Sequence, residues 1–167
     1  KQHITKQLNK IEHVMLAGAT HEAAIDLSKK LSKLTKLSHC SYGSDGANAV
    51  EIALKMSSHF WKRVGLPKKN KFVYLENSYH GETIGALSVT DIPIFRSQYA
   101  TLIKSYFSVP SPDSRLKKSK QTSEEFIQER IKSLKKLFEN KHEVISSIIL
   151  EPLVQCATGM GIYDSIY

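Results

Sequence analysis

Tyr42-Gly43-Ser44-Asp45-Gly46-Ala47-Asn48-Ala49-Val50-Glu51 reads as an approach strand, a sharp glycine-bounded turn and the opening of a helix. From Gly46 the pattern is helical: Ala49, Ala53, Met56 and Phe60 share one face, and Glu51, Lys55, Ser58 and Lys62 the opposite one. Glycine ahead of a helix start admits backbone conformations that a side chain forbids and lets a ligand come close. The first amides of a helix lack internal acceptors, and the dipole there favours an anion. The stretch therefore reads as a phosphate cradle. The alternative is an ordinary turn with Asp45 or Ser44 as the helix cap.

The chain has 167 residues, enough for one core, and a formal net charge of +8. Its lysines are spread over helix faces, and Lys117 to Lys120 adjoin a loop. No aromatic-interleaved basic stripe accompanies the charge, so a solvated surface is favoured over a nucleic-acid-binding face. No apolar run is long enough to span a membrane, and no secretory signal is visible. Cys40 and Cys156 lack paired metal-type spacing and read as free thiols in a reducing cytosol. The histidines show no His-x-x-x-His spacing, so no metal is expected, and no serine has His and Asp partners in a nucleophile arrangement.

Outward from the cradle, residues 2 to 15 predict an amphipathic helix. The pattern breaks at Gly18 and restarts with Thr20 as N-cap, Glu22 in the first turn, and Ala24, Leu27, Leu31 and Leu34 on one face. Cys40 to Tyr42 is a short candidate strand. The helix from Gly46 runs to about Arg63 and stops at Gly65-Leu66-Pro67. Phe72 to Leu75 is a strand rich in β-formers, Thr83 to Val89 starts a further helix, and Asp91 to Thr122 reads as irregular, punctuated by Pro93, Pro110 and Pro112. Thr122-Ser123-Glu124-Glu125 has the spacing of a capping box, and the helix it opens aligns Ile127, Ile131, Leu134 and Phe138. Val144 to Leu150 is an apolar strand ended by Glu151-Pro152.

Strand, helix, strand, helix, strand is the pattern of an α/β doubly wound sheet, in which ligands gather at the carboxyl ends of the strands. Those ends are the Gly43–Ala47 turn, the Tyr79-His80-Gly81 turn and Glu151-Pro152. An anion cradle, an aromatic side chain and a carboxylate suit a planar, phosphorylated ligand, with phosphate on the Gly46 and Ala47 amides and Tyr79 stacked on a flat ring. Each residue also has a plainer reading: Tyr79 as core, His80 as a hydrogen-bonded structural histidine, and Glu151 as a cap.

Four stretches carry a family resemblance. They are His13 to His21 with Ala23 to Leu27; Ser44 to Ala47 followed by Ala49 to Met56; Asn77 to Thr83, with its Tyr-His-Gly centre; and Ile149 to Gln155, with its Glu-Pro pair. In consistent order over nearly the whole chain, they resemble the class III, fold-type I aminotransferases, which use pyridoxal 5'-phosphate. The first segment resembles the branch acting in biotin synthesis. That resemblance implies a mostly parallel sheet with helices on both faces, forming part of the large cofactor-binding domain over residues 1–167. It implies transfer of an amino group from S-adenosylmethionine, or in some relatives lysine, to 8-amino-7-oxononanoate, giving 7,8-diaminononanoate. It also implies a cytoplasmic homodimer without nucleic-acid or membrane partners.

Carried over by position, the resemblance implies that Asp45, Gly46 and Ala47 form the phosphate turn. Tyr79 would cover the pyridine ring and border the substrate, His80 would support that loop, and Glu151 would stand behind the ring. Many relatives have Ser or Thr where Ala47 stands, so one hydroxyl contact would be missing. Asp45 differs from the Ser of some relatives. The family's Schiff-base lysine and the aspartate that pairs with the ring nitrogen are expected beyond Tyr167, and an aromatic pocket segment before Lys1. The chain also starts within a helical pattern (Ile4, Leu8, Ile11, Met15) and stops soon after a strand. The expectation is the central third of a subunit, inactive in isolation. Ornithine, acetylornithine and ω-amino acid transaminases are the alternatives within the class, and a basic nucleic-acid-binding module is the remote one outside it.

Overall fold

The computed structural model describes all of residues 1–167 and divides into two compact units, Lys1–Tyr42 and Gly43–Tyr167. In the first, α1 (Gln2–Leu8) and α2 (Glu22–Thr35) are joined by turns, and no residue is buried. The helix predicted to Met15 ends at Leu8, where the Asn9 amide closes the last turn on Thr5. Met15 is 68% exposed, so no buried face rewards further turns, and a short helix without one is marginal. The cap of α2 is His21, not Thr20: its Nδ1 accepts from the Ala24 amide at 3.4 Å. Leu27 and Leu34 of the predicted stripe are exposed, while Ala24, Ser28 and Leu31 are half-buried. Cys40 to Tyr42 is not a strand. It has no neighbour to ladder with, and the Tyr42 hydroxyl pairs with that of Ser28 at 2.7 Å.

The second unit is built on a three-stranded parallel sheet in the order β2-β1-β3, formed by β1 (Lys71–Leu75), β2 (Phe107–Val109) and β3 (Ile145–Ile149). Period-two alternation along β1 sends Phe72 and Tyr74 to one face and Val73 and Leu75 to the other. Phe72, Tyr74 and Val89 pack with Val50 and Leu54 of α3 (Gly46–Arg63). Val73, Leu75, Val109 and Ile145 pack with Leu134, Leu137 and Phe138 of α6 (Ser123–Lys141). Helices thus cover both faces, as the sequence predicts. The capping box is also formed: the Thr122 hydroxyl accepts from the Glu125 amide at 3.1 Å, and the Glu125 carboxylate accepts from the Thr122 amide at 2.8 Å.

Three expectations change in this unit. The α3 stripe Ala49, Ala53, Met56 and Phe60 is exposed, and the helix docks through Val50, Leu54, Ser57 and Trp61. Both stripes contain apolar side chains, and polar pairing distinguishes them. The Trp61 indole donates to the Ser146 carbonyl at 2.8 Å, and the Ser57 hydroxyl meets those of Ser146 and Ser147 at 2.6 and 3.1 Å. The predicted irregular stretch holds β2 and a one-turn helix, α5 (Pro93–Arg96), while the Thr83–Val89 helix is only α4 (Ile84–Leu87). Three residues are too few to display a period, so β2 is recognisable only by its pairing with β1. After β3, β4 (Val154–Gln155) and β5 (Gly161–Ile162) form a small antiparallel ladder with no sequence forecast.

Leu75 is fully buried, so Leu75→Ala is expected to cost about 2–5 kcal/mol in urea unfolding. Met56→Ala on the exposed stripe is expected to stay within about 0.5 kcal/mol. Thr122→Ala removes the cap of α6 and is expected to cost about 1 kcal/mol by the same measurement.

Candidate functional site

The cleft begins at the tip of α3. Asp45 is its N-cap, accepting from the Asn48 amide at 2.8 Å. Its other oxygen accepts from the Asn48 side-chain amide at 2.6 Å and the Ser44 hydroxyl at 3.0 Å. These bonds, the Asn48 amide first, hold the Asp45 carboxyl below its ordinary range. The cap satisfies the third amide of the helix. The Gly46 amide has no hydrogen-bond partner in the protein, and the Ala47 amide reaches only weakly toward the Asp45 carboxylate. Asp45 is therefore used as a cap. A carboxylate offers a phosphate no donor, but by turning onto Asn48 it leaves the Gly46 amide free and the Ala47 amide only loosely engaged.

The second wall comes from the carboxyl end of β1. Asn77, at φ +64°, reverses the chain, and its amide donates to Asp91 at 3.0 Å. The Tyr79 amide donates to the Glu151 carboxylate at 3.0 Å, and the His80 amide to the Thr90 hydroxyl at 2.9 Å, which in turn donates to the Gly81 carbonyl at 3.1 Å. The Tyr79 phenol donates to Glu82 at 2.8 Å, which raises its pKa, and its ring meets Phe95 edge-on at 5.4 Å. Gly81 sits at φ +116°, and a Cβ there would lie 2.6 Å from the Ala47 Cβ. Only glycine lets this loop close on the helix tip.

Asp45, Gly46, Ala47, Val50, Tyr79, His80 and Gly81 line one cleft of about 490 Å³. Two of the three strand-end groups named from the sequence therefore converge. Glu151 does not line that cleft; it stands behind it. One carboxylate oxygen takes the Tyr79 amide and the other the Cys156 amide at 2.9 Å, while its carbonyl accepts from the Tyr163 hydroxyl. His80 is half-buried, with Nε2 enclosed and unpartnered; burial lowers its pKa against a smaller opposing pull from Glu151. The larger groove of about 750 Å³ lies along α3 and includes Lys55, Lys62 and Tyr106 but none of the predicted site residues.

The sequence profile described as "Aminotransferase class-III" matches residues 1–167. The chain belongs to the class-III aminotransferases. It is 39% identical to the adenosylmethionine-8-amino-7-oxononanoate aminotransferase of Helicobacter pylori, over 99% of this chain and 36% of that protein. To the enzyme of the same name from Staphylococcus aureus it is 37% identical, over 96% of this chain and 36% of the relative. The chain thus spans about a third of the length of the curated relatives it matches. Among solved structures, the adenosylmethionine-8-amino-7-oxononanoate aminotransferase of Methanocaldococcus jannaschii superposes with a TM-score of 0.85 at 29% identity, over 99% of this chain and 36% of that one. An (S)-enantioselective omega-transaminase of Thermomicrobium roseum superposes with a TM-score of 0.90 at 26% identity, over 97% of this chain and 37% of that one.

Class-III aminotransferases are pyridoxal-phosphate enzymes, and the cleft fits that group. It has helix-tip amides with no strong acceptor of their own, a phenol ring in the same lining, an approach that only glycine permits, and an enclosed imidazole nitrogen in need of a partner. Sequence reasoning missed Glu51, Glu82, Thr90 and Phe95, which hold the loop. The spacing puts Glu51 on the face opposite Ala49, Ala53, Met56 and Phe60. The signal available was its place four residues after Ala47, on the same side of the helix.

Gly81→Ala is expected to cost about 1–3 kcal/mol in urea unfolding, because the methyl meets Ala47 and the φ is unfavourable for alanine. His80 has a folded pKa below its ordinary 6.5, so the unfolded chain binds the extra proton first and stability falls as pH drops below about 6.5. His80→Gln is expected to flatten that decline, read from urea midpoints on either side of it.

Proposed function

We propose that residues 1–167 form part of the major, cofactor-binding domain of a pyridoxal-phosphate aminotransferase of biotin synthesis. Its reaction would transfer the amino group of S-adenosylmethionine to 8-amino-7-oxononanoate, giving 7,8-diaminononanoate. The observation that carries the reading is that one cleft holds the free Gly46 amide, the weakly engaged Ala47 amide and Tyr79. The substrates follow the names of the relatives from H. pylori and S. aureus. Activity is proposed for the whole protein, because the chain covers only 36% of each.

Bound pyridoxal phosphate supplies an electron sink that lets an amino group pass between carbon skeletons. The residues of this chain bind and orient. The Gly46 and Ala47 amides, at the positive end of the α3 dipole, would take phosphate oxygens. The Tyr79 ring would cover the pyridine and border the substrate, with Phe95 and Glu82 fixing its tilt. Glu151 and Thr90 hold the loop backbone, and His80 fills the space beneath it. Free Cys40 and Cys156 suit a reducing cytoplasm, and a homodimer is the assembly we propose from the family resemblance. No helix is long and apolar enough to cross a membrane.

A second reading, an ω-transaminase, is supported by the TM-score of 0.90 to the T. roseum enzyme. Donor specificity of the full-length protein separates the two: kcat/KM should be higher with S-adenosylmethionine than with ω-amines, and the reverse order would favour the second. Tyr79→Phe removes the bond to Glu82 and is expected to lower kcat/KM for the donor about tenfold while cofactor retention changes less. Equal activity of both forms would overturn the role given to Tyr79.

A further inference from the structure

The loop that carries Tyr79 is fastened at several points, and most of the fastenings come from outside α3. Glu151 follows β3, and Thr90 follows α4. Glu51 is the exception. One oxygen of its carboxylate accepts from the Thr83 hydroxyl at 2.7 Å, the Gly85 amide at 2.7 Å and the Ala86 amide at 3.3 Å. These are donors at the start of α4, so the carboxylate caps that turn from a neighbouring helix. A methyl group on Gly85 would run into the carboxylate. Glu51 stands four residues after Ala47 and therefore on the same side of α3. Along that stripe Ala47 meets Gly81 and Glu51 meets residues 83–86, so the loop touches the cradle-bearing helix at two successive turns. The first contact is steric, and the second is the hydrogen-bonded link between this loop and α3.

We infer that Glu51 is a positioning residue, setting the distance between the ring of Tyr79 and the anion-binding amides of Gly46 and Ala47. It rests on the cleft being the cofactor site. Glu51 does not line the cleft and touches no reacting atom; it acts by holding the Thr83–Ala86 segment against α3. What it uses is an acceptor oxygen at the right reach, more than a charge. An amide that keeps an oxygen there should substitute, whereas a methyl should not.

The test compares Glu51→Ala and Glu51→Gln in the full-length protein. Pyridoxal phosphate affinity is titrated, and hydrogen exchange is followed at residues 79–86. Glu51→Ala is expected to weaken cofactor binding about tenfold and to speed exchange in that segment, with Glu51→Gln close to wild type. If Glu51→Ala does not fold, Thr83→Val, which removes one donor, is read the same way with a smaller effect. Unchanged affinity and unchanged exchange in the folded variant would overturn the inference. So would a lower melting temperature alone with cofactor affinity intact, since that describes a merely structural cap. A wild-type protein that binds no pyridoxal phosphate would instead sink the reading of the cleft, which separates the two failures.

Discussion

Val73 and Leu75 are fully enclosed on one face of β1, and Phe72 and Tyr74 are 2–3% exposed on the other. A parallel strand buried on both faces needs a helix on each side, because neither face can be left to water. This requirement places α3 and α6. It also sends every strand's carboxyl end to the same edge of the sheet, so the loop after β1 and the turn after β3 meet. Glu151 and Tyr79, 72 residues apart, are joined there by one hydrogen bond.

The cleft at that edge is organised by what is left unsatisfied. Asp45 takes the Asn48 amide strongly and the Ala47 amide only weakly, leaving the Gly46 amide free and Ala47 loosely held at the positive end of a helix dipole. An ionised acid would repel an anion brought to that tip unless it were turned away, and its bonds to Asn48 and Ser44 turn it away. His80 is the complementary case: its imidazole is enclosed, its Nε2 lacks a partner, and burial keeps it neutral over more of the pH range. Groups left in such states suit the binding of a polar, phosphorylated ligand and have no structural reward of their own.

The departures from sequence expectation share a cause. Ala49, Ala53, Met56 and Phe60 form a regular apolar stripe, yet the sheet selected Val50, Leu54, Ser57 and Trp61, whose polar atoms find partners on β3. Periodicity reports that a helix has faces but does not rank two faces of similar hydropathy. Phe107 to Val109 is a strand only because β1 lies beside it, and Cys40 to Tyr42 is none because nothing does. The shortening of α1 follows the same rule: four apolar residues at helical spacing stayed exposed, and the pattern alone could not sustain the extra turns.

What the sequence by itself determined is local. A cap at Ser44 or Asp45, the capping box at Thr122 and Glu125, the stop at Gly65, the stripe of α6 and the strands around Phe72–Leu75 and Ile145–Ile149 depend on neighbours within a few residues. The family motifs were legible for the same reason, being short runs. Tertiary structure alone decided that Gly81 must press on Ala47, that Glu151 holds the loop from behind, and that Glu51 faces inward to cap a turn over thirty residues away. Each of those is a contact between distant segments, and its existence depends on the packing of β1 between two helices, which no local spacing encodes.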